Sequence, residues 1–456
     1  MTLEGSQIEI DAVDFQISCR RFTVRATITR DRQLPVVDEF VLRLLAIVDR
    51  MPSRRMRAWF GFSQKEMEAV LIDLGRRNFI EFEGDDVFLG PAGHDLFISS
   101  GMDGNPRIVE VAPLIGDVWF DLISRNMVPS TRSKSAEFYV KLTEIPAARN
   151  MPEVFARAAF EENFRDYVKM IRRLPDPDAV NLYSISGVEG SNYGHQVLKA
   201  GIVLDTDQMI VRPTFPELGD HGLAYQRLTL AANDAWKMIS PPDKSSSADV
   251  EFQRMTGDNN LASLIASPSS TDAWVSAFGR SKHPNSSFQP TLGASYLKGN
   301  INRFLEALSV EDSSDLGKII WLRPSGSTWG RTALVAEAVN QIRQLLKNNG
   351  SNNLESILFM PRSTRHSDRT IHKAIFDKGF LLPQGHLPAN MEVLLVPGKA
   401  ALVNVHILAG QHSVALGGVT TDPARLSRIV AKLTRGKSDG WGEIWVPRRS
   451  GTGAVE

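Results

Sequence analysis

The sequence of 456 residues contains a single cysteine, Cys19, which excludes a disulfide within the chain and a cysteine-based structural zinc site. It contains no run of about 18 uncharged apolar residues, so no transmembrane helix is expected. The first 30 residues are polar and acidic and lack the basic and apolar regions of a secretory signal. Because a lone thiol is typical of a reducing compartment, these absences predict a cytoplasmic protein without membrane contact.

The chain also lacks an excess of charge, since 52 Lys and Arg residues balance 52 Asp and Glu residues. This balance excludes a polybasic nucleic-acid coat protein, and any contact with nucleic acid must come from local patches. The nine histidines lack the paired spacing of metal ligands, and neither a GxSxG motif nor a cysteine nucleophile is found. The sequence therefore predicts no metal, no cofactor and no catalytic residue.

Two polar segments divide the chain. One is Gly-rich and lies around 100–106, and the other is rich in Ser, Pro and Asn and runs from Ser240 to about Gln289. The predicted domains are N-terminal strands with a helical unit (1–104), a mixed α+β domain (105–240), a linker (241–289), an α/β domain (290–447) and a tail (448–456).

The first domain begins with an alternating strand or hairpin pattern, followed by apolar residues at helical spacing over 37–50. A short helix ends at Gly61, a capping box from Ser63 to Glu66 opens the next helix, and a hairpin turns at Gly84-Asp85. From about 35 to 98 this layout resembles winged helix-turn-helix domains.

That resemblance implies that the helix over 63–77 enters the major groove of DNA. The candidate contacts on it and on the preceding helix are Arg54, Arg55, Arg57, Lys65, Arg76 and Arg77. The predicted wing carries four carboxylates, which repel phosphate. Contact with DNA and docking of another protein are therefore equal alternatives for this unit.

The middle domain is predicted to contain a single helix over 152–174, several strands and a helix over 224–239. In the last domain strands alternate with helices, which predicts an α/β sheet with a parallel core and ligands at the carboxyl ends of its strands. The predicted fold class is thus a multidomain α/β protein with a winged helix, a mixed α+β middle and this C-terminal sheet.

Two loops at that edge carry candidate phosphate contacts. The first loop, RPSGSTWGRT, has nearly the spacing of a phosphate-binding loop, but Ser325 and Arg331 replace the required glycine and lysine, so an ATPase is not expected. The second loop covers 361–373 and is strongly basic. If the strands are parallel, the loops meet and form a positive patch, the alternative being an ordinary solvated loop. The candidate contacts are Arg323, Ser327, Thr328, Arg331, Arg362, Arg365, Arg369 and Lys373.

A third pattern places Asn404, His406 and Gln411 at the spacing of HxKxxxxD, with Gly417-Gly418 following. Over about 317–435 the chain resembles the phospholipase D superfamily. The resemblance implies a degenerate domain, in which Asn404 stands at the nucleophile position, that retains binding of the phosphate backbone.

Together these patterns predict a non-catalytic or catalytically degenerate protein that binds DNA or another nucleic acid. By analogy, it is an accessory protein of a bacterial DNA-processing or phage-defence system. Two alternatives remain open. One is a nuclease or phosphodiesterase with an unrecognised site, and the other is an assembly subunit that docks a helicase, nuclease or ATPase.

Overall fold

The computed structural model describes residues 7–98, 107–128, 138–150, 152–174, 176–205, 210–217, 222–237, 247–266, 288–309, 317–351, 353–409, 412–434 and 441–446. The chain folds as a mixed α/β protein with several sheets. Within the described residues, no helix has the length and apolar character needed to cross a bilayer.

The first sheet is built around one very long strand, β1 (Gln7–Gln33). Its neighbours β5 (Arg107–Asp121) and β8 (Val180–Asp205) pair with it in antiparallel orientation. The remaining strands are β6 (Met127–Val128), β7 (Val140–Lys141) and β9 (Ile210–Thr214). The alternating pattern that predicted a strand or hairpin near the amino terminus thus belongs to one strand, β1. The strands predicted separately within 180–205 also form one strand, β8.

A helical unit is inserted between β1 and β5 in the order expected for a winged helix. Its elements are α1 (Val36–Val48), β2 (Arg50–Pro52), α2 (Ser53–Phe60), α3 (Gln64–Arg76), β3 (Ile80–Glu83), β4 (Asp86–Leu89) and α4 (Pro91–Ile98). The capping box is present, because the Glu66 amide donates to Ser63 Oγ (3.3 Å) and the Ser63 amide donates to Glu66 Oε2 (2.8 Å). Gly61 ends α2 with a positive φ of 66°, which glycine adopts without strain.

The prediction of one helix over 152–174 is wrong. The segment contains α6 (Pro152–Glu162), α7 (Phe164–Asp166) and a π-helical turn (Tyr167–Ile171). The break lies at Asn163, whose side-chain amide donates to the carbonyl oxygens of Ala159 (2.8 Å) and Arg125 (3.0 Å). The flanking short helices are α5 (Pro146–Asn150) and a 3₁₀ turn (Pro177–Ala179).

Part of the predicted linker is folded. The helix α8 (Leu223–Lys237) is followed by α9 (Ala248–Thr256) and α10 (Asn259–Ala266). Phe252 and Met255 of α9 are buried in the largest hydrophobic cluster. Residues 248–266 are therefore part of the core, because their apolar side chains have a sheet to pack against. The rest of 241–289, apart from Ser247 and 288–289, lies outside the described residues.

The second sheet has the strand order β10-β16-β15-β14-β11-β12-β13-β17. Its strands are β10 (Phe288–Leu292), β11 (Lys318–Leu322), β12 (Glu355–Met360), β13 (Lys378–Leu381), β14 (Met391–Val396), β15 (Ala400–Ala409), β16 (His412–Thr420) and β17 (Gly442–Trp445). The helices are α11 (Lys298–Ser309), α12 (Leu334–Asn348) and α13 (Pro423–Thr434), with a 3₁₀ turn at His366–Asp368. Only β11, β12 and β13 pair in parallel, so the sheet is mixed and its parallel core is limited to three strands.

The first half of β1 connects the two sheets. Backbone hydrogen bonds join Ala294 to Ile10 (2.9 Å) and Asp14 to Arg331 (2.7 Å). Ile8 and Ile10 share a hydrophobic cluster with Val403 of the second sheet. Residues near the amino terminus thus pair with β8, which lies beyond the boundary at 104, and pack on the sheet after 290. The division into domains stays a prediction.

Candidate nucleic-acid interface

The carboxyl ends of β11, β12 and β13 form one edge of the second sheet, and both basic loops start there. The Arg331 guanidinium donates to Asp368 Oδ1 (2.8 Å), and Arg323 Nη1 donates to the Asp368 carbonyl oxygen (3.3 Å). Asp368 belongs to the second loop and both arginines to the first. The two loops that the sequence places at one edge therefore lie in direct contact.

These two arginines hold the loops together, and most of their surface is buried. Arg323 is 0% exposed and also donates to the carbonyl oxygens of Pro324 (3.1 Å) and Gly326 (2.7 Å). Burial lowers the pKa of Arg323 to about 10 and lowers the pKa of Arg331 as well, although the Asp368 charge opposes both shifts. Ser327 and Thr328 are buried too.

Several buried polar atoms in the same loops lack a partner within the described structure. They are Ser327 Oγ, Thr364 Oγ1, Asp368 Oδ2 and His372 Nδ1. Burial and the Arg323 charge lower the pKa of His372 to about 3, so its ring is neutral at pH 7. Its Nε2 lies 2.9 Å from the Gly330 carbonyl oxygen and therefore carries the proton, which leaves a lone pair on Nδ1. Such groups are rare in folded proteins.

The outer surface of the second loop supplies the accessible positive charge. Arg362, Arg365 and Lys373 are exposed. Arg369 is half-buried and donates to the carbonyl oxygens of Thr364 (3.1 Å) and Arg362 (3.2 Å). Of the four basic candidates in this loop, three are thus exposed, and Arg369 bonds to backbone carbonyl oxygens of the loop itself.

A cavity of about 530 Å³ opens beside this loop. Its apolar floor contains Leu322, Leu382 and Leu387, and three prolines line its sides. Arg362 and Ser363 lie at its rim. Periodicity does not reveal such a cavity, but the rule that ligands collect at the carboxyl ends of parallel strands does predict its position.

The basic residues of the winged-helix-like unit are distributed around α2 and α3. Arg54, Arg55, Lys65 and Arg76 are exposed, and Arg57 is half-buried. Arg77 forms ion pairs with Asp38 (3.2 Å) and Asp73. The wing carboxylates are partly neutralised, because Glu83 pairs with Arg50 (2.5 Å) and Asp85 lies 3.5 Å from Arg54.

A second cavity, of about 370 Å³, lies between α2, α3 and the wing. Met67 and Leu71 line it, together with Ile72 and Phe82, which are 54% and 52% exposed. These two large apolar side chains, exposed on α3 and the wing, were missed in the sequence, where Ile72 is one more apolar residue of an amphipathic helix.

Two residues of the predicted degenerate motif, Asn404 and His406, lie within a buried polar cluster. Asn404 Oδ1 accepts from the Thr291 hydroxyl (3.0 Å), and His406 contacts Glu392 Oε2 through Nε2 (3.0 Å) and Ser413 through Nδ1 (3.1 Å). Gln411 lies outside the described residues. These contacts place His406 as a partner of a buried carboxylate.

Glu392 is the centre of this cluster. It is fully buried on β14, and Oε1 accepts hydrogen bonds from Trp329 (2.7 Å), Trp321 (3.2 Å) and the Ser295 hydroxyl. Burial raises its pKa, but hydrogen bonds from His406, Ser295 and Trp329 outweigh that effect and hold the pKa below its ordinary value. The sequence does contain a signal, because a glutamate within the apolar run MEVLLV must be buried with partners.

A second buried acid lies nearby on β1. Asp11 Oδ1 accepts from the Tyr296 hydroxyl (2.6 Å) and from the Ala12 amide (2.8 Å). Burial raises the pKa of Asp11 to about 7, although both hydrogen bonds oppose the shift. Across the part of the chain that the structure describes, no three His, Cys, Asp or Glu side chains converge as metal ligands would.

Comparison with known proteins identifies no family. No family model matches the sequence, and no curated protein matches it. Among solved structures, the chain is similar to TrmBL2, described as an archaeal chromatin protein with a novel mode of DNA binding. The identity is 9% and the TM-score 0.20, over 47% of this chain and 81% of that chain. A score this low does not establish a shared fold.

Proposed function

We propose that this protein is a non-catalytic accessory protein that binds nucleic acid, with its main phosphate contacts at the loop over 361–373. The contact between Arg331 and Asp368 carries this proposal, since it joins two basic loops at one sheet edge. The Asp368 carboxylate is buried and bound to Arg331, whereas Arg362 and Arg365 are exposed residues. Guanidinium groups match phosphate oxygens in geometry and in charge.

The winged-helix-like unit supplies additional contacts in this proposal. Lys65 and Arg76 lie near the two ends of α3, and Arg55 lies on α2. The ion pairs of Glu83 and Asp85 reduce the repulsion between the acidic wing and phosphate. A neutral chain with two basic surfaces binds by local charge, so its affinity must fall with rising salt.

Replacing Arg362 and Arg365 together by glutamine is expected to weaken binding to DNA about tenfold or more at low salt. Each lost phosphate contact also reduces the slope of log affinity against log salt concentration by about one. The measurement is fluorescence anisotropy with labelled duplex and single-stranded oligonucleotides over a salt series.

The matched control is Lys318→Gln with Lys347→Gln. It removes the same charge from exposed residues at the start of β11 and the end of α12, on the opposite edge of the sheet. We expect the control to bind like the wild type. Equal losses in both double variants, or a wild-type signal independent of salt, would count against the proposal.

A second candidate function is protein docking through the winged-helix-like unit, supported by the exposed Ile72 and Phe82 beside an apolar cavity. The double variant Lys65→Gln with Arg76→Gln separates the two uses of this surface. Loss of duplex affinity, expected at about fivefold, supports DNA contact by α3. Unchanged affinity in the same anisotropy assay supports docking.

A further inference from the structure

The cavity beside the basic loop has the size of a small-ligand site. Its volume of about 530 Å³ lies within the range of roughly 300–1,000 Å³ that is usual for such sites. Leu322, Leu382 and Leu387 are buried and form its floor. Pro361, Pro383 and Pro388 line it with rigid apolar rings. Polar and apolar groups both line the cavity, so its interior suits a group that has both polar and apolar surface.

The charge that lines the cavity is of one sign. Among the described residues that line it, Arg362 is the single charged side chain, and no acidic side chain is present. Ser363 and Gln384 are exposed at the rim and offer a hydroxyl and an amide. A ligand that uses all these features has one anionic group, a body with apolar faces and an edge with hydrogen-bond donors and acceptors.

A nucleotide unit has these three parts, and we infer that the cavity holds one. The base lies among the leucines and prolines, its edge meets the Gln384 amide, and the phosphate meets Arg362. A glutamine amide forms paired hydrogen bonds with adenine, so adenine is the preferred base. A base inside a duplex is stacked and cannot enter, whereas a base in a single strand or at an unpaired end can.

For a nucleotide within a strand, this inference rests on the proposed function, because Arg362 is the phosphate contact in both proposals. It adds that single-stranded nucleic acid is preferred over duplex. A free nucleotide and a nucleotide within a strand share the same chemistry, and two separate measurements distinguish them.

The first measurement is titration calorimetry of the full chain with AMP, ribose 5-phosphate and inorganic phosphate. We expect AMP to bind at least about tenfold more tightly than either of the others, since they lack the base. Ser363→Trp fills the cavity from an exposed position and is expected to abolish AMP binding. Ser427→Trp, the same change at an exposed position on α13, is expected to leave it unchanged.

A second, milder variant keeps the test valid if Ser363→Trp does not fold. Gln384→Ala removes the amide without filling the cavity, and it is expected to weaken AMP about fivefold without changing phosphate binding. AMP binding that is no stronger than phosphate binding, or that survives in Ser363→Trp, overturns the inference.

The second measurement compares single-stranded and duplex oligonucleotides by anisotropy. The wild type is expected to prefer the single strand about tenfold, and Ser363→Trp is expected to lose this preference while it keeps salt-dependent duplex binding. Equal binding of both forms by the wild type overturns the inference and leaves the proposed function standing. Binding of AMP without binding of any oligonucleotide supports the cavity assignment and contradicts the proposed function.

Discussion

Replacing Glu392 by alanine is expected to lower the free energy of unfolding by about 3–5 kcal/mol, as is typical when one partner of a buried charged group is removed. The carboxylate accepts from Trp321, Trp329, Ser295 and His406 at once. Without it these donors stay in the core with no acceptor, and each unsatisfied group costs about 1–3 kcal/mol. Urea denaturation followed by tryptophan fluorescence measures the change.

The control for this prediction is Glu337→Ala, which removes the same side chain from an exposed position on α12. Such a surface change is expected to alter stability by about 0.5 kcal/mol or less. A loss of under about 1 kcal/mol in the Glu392 variant would contradict the central role of this carboxylate.

The parts of the fold that could be predicted from the sequence are those fixed by neighbours in the chain. The capping box at Ser63, the end of α2 at Gly61 and the apolar face of α1 each depend on residues within a few positions. The order of elements from 36 to 98 follows from such signals alone.

Elements that depend on distant partners could not be predicted in the same way. The break at Asn163 requires the carbonyl oxygen of Arg125, which is remote in sequence. The helix α9 lies in a Ser- and Pro-rich stretch, and it is stabilised by burial of Phe252 in a core that the stretch itself does not reveal. The helix or strand propensity of a segment is a weak signal where tertiary contacts determine its secondary structure.

The same division holds at the candidate site. Parallel strands predict that two loops meet at one edge, and the contact of Arg331 with Asp368 shows that they do. Which arginine faces solvent depends on where a single aspartate lies, and spacing carries no information about that. Glu392 and Asp11 lie far apart in the sequence, so their shared cluster follows only from the packing of β1 on the second sheet.

Replacing Asp11 by asparagine is expected to remove a large dependence of stability on pH. The folded-state pKa of Asp11 is raised from 3.8 to about 7 by burial. Between these values the unfolded chain has lost the proton and the folded chain keeps it, so the free energy of unfolding falls as pH rises. The slope is about 1.4 kcal/mol per pH unit, and it ends above about pH 7. Asparagine resembles the protonated acid and lacks this slope.

The measurement is urea denaturation of both proteins between pH 4 and pH 8. The stability of Asp11→Asn relative to the wild type is expected to rise by about 4 kcal/mol across the window and then to level off. The variant Tyr296→Phe tests the cause, because the Tyr296 hydroxyl bond lowers the pKa of Asp11. Without this hydrogen bond, the pH at which the stability difference levels off is expected to be higher. Parallel curves for the wild type and Asp11→Asn would show that the acid is ionised in both states.

Glu392, whose pKa is lowered, acts in the opposite sense: its contribution is present above about pH 4.5 and is lost as pH falls. The two acids of one cluster therefore limit the stability of the protein from opposite ends of the pH scale.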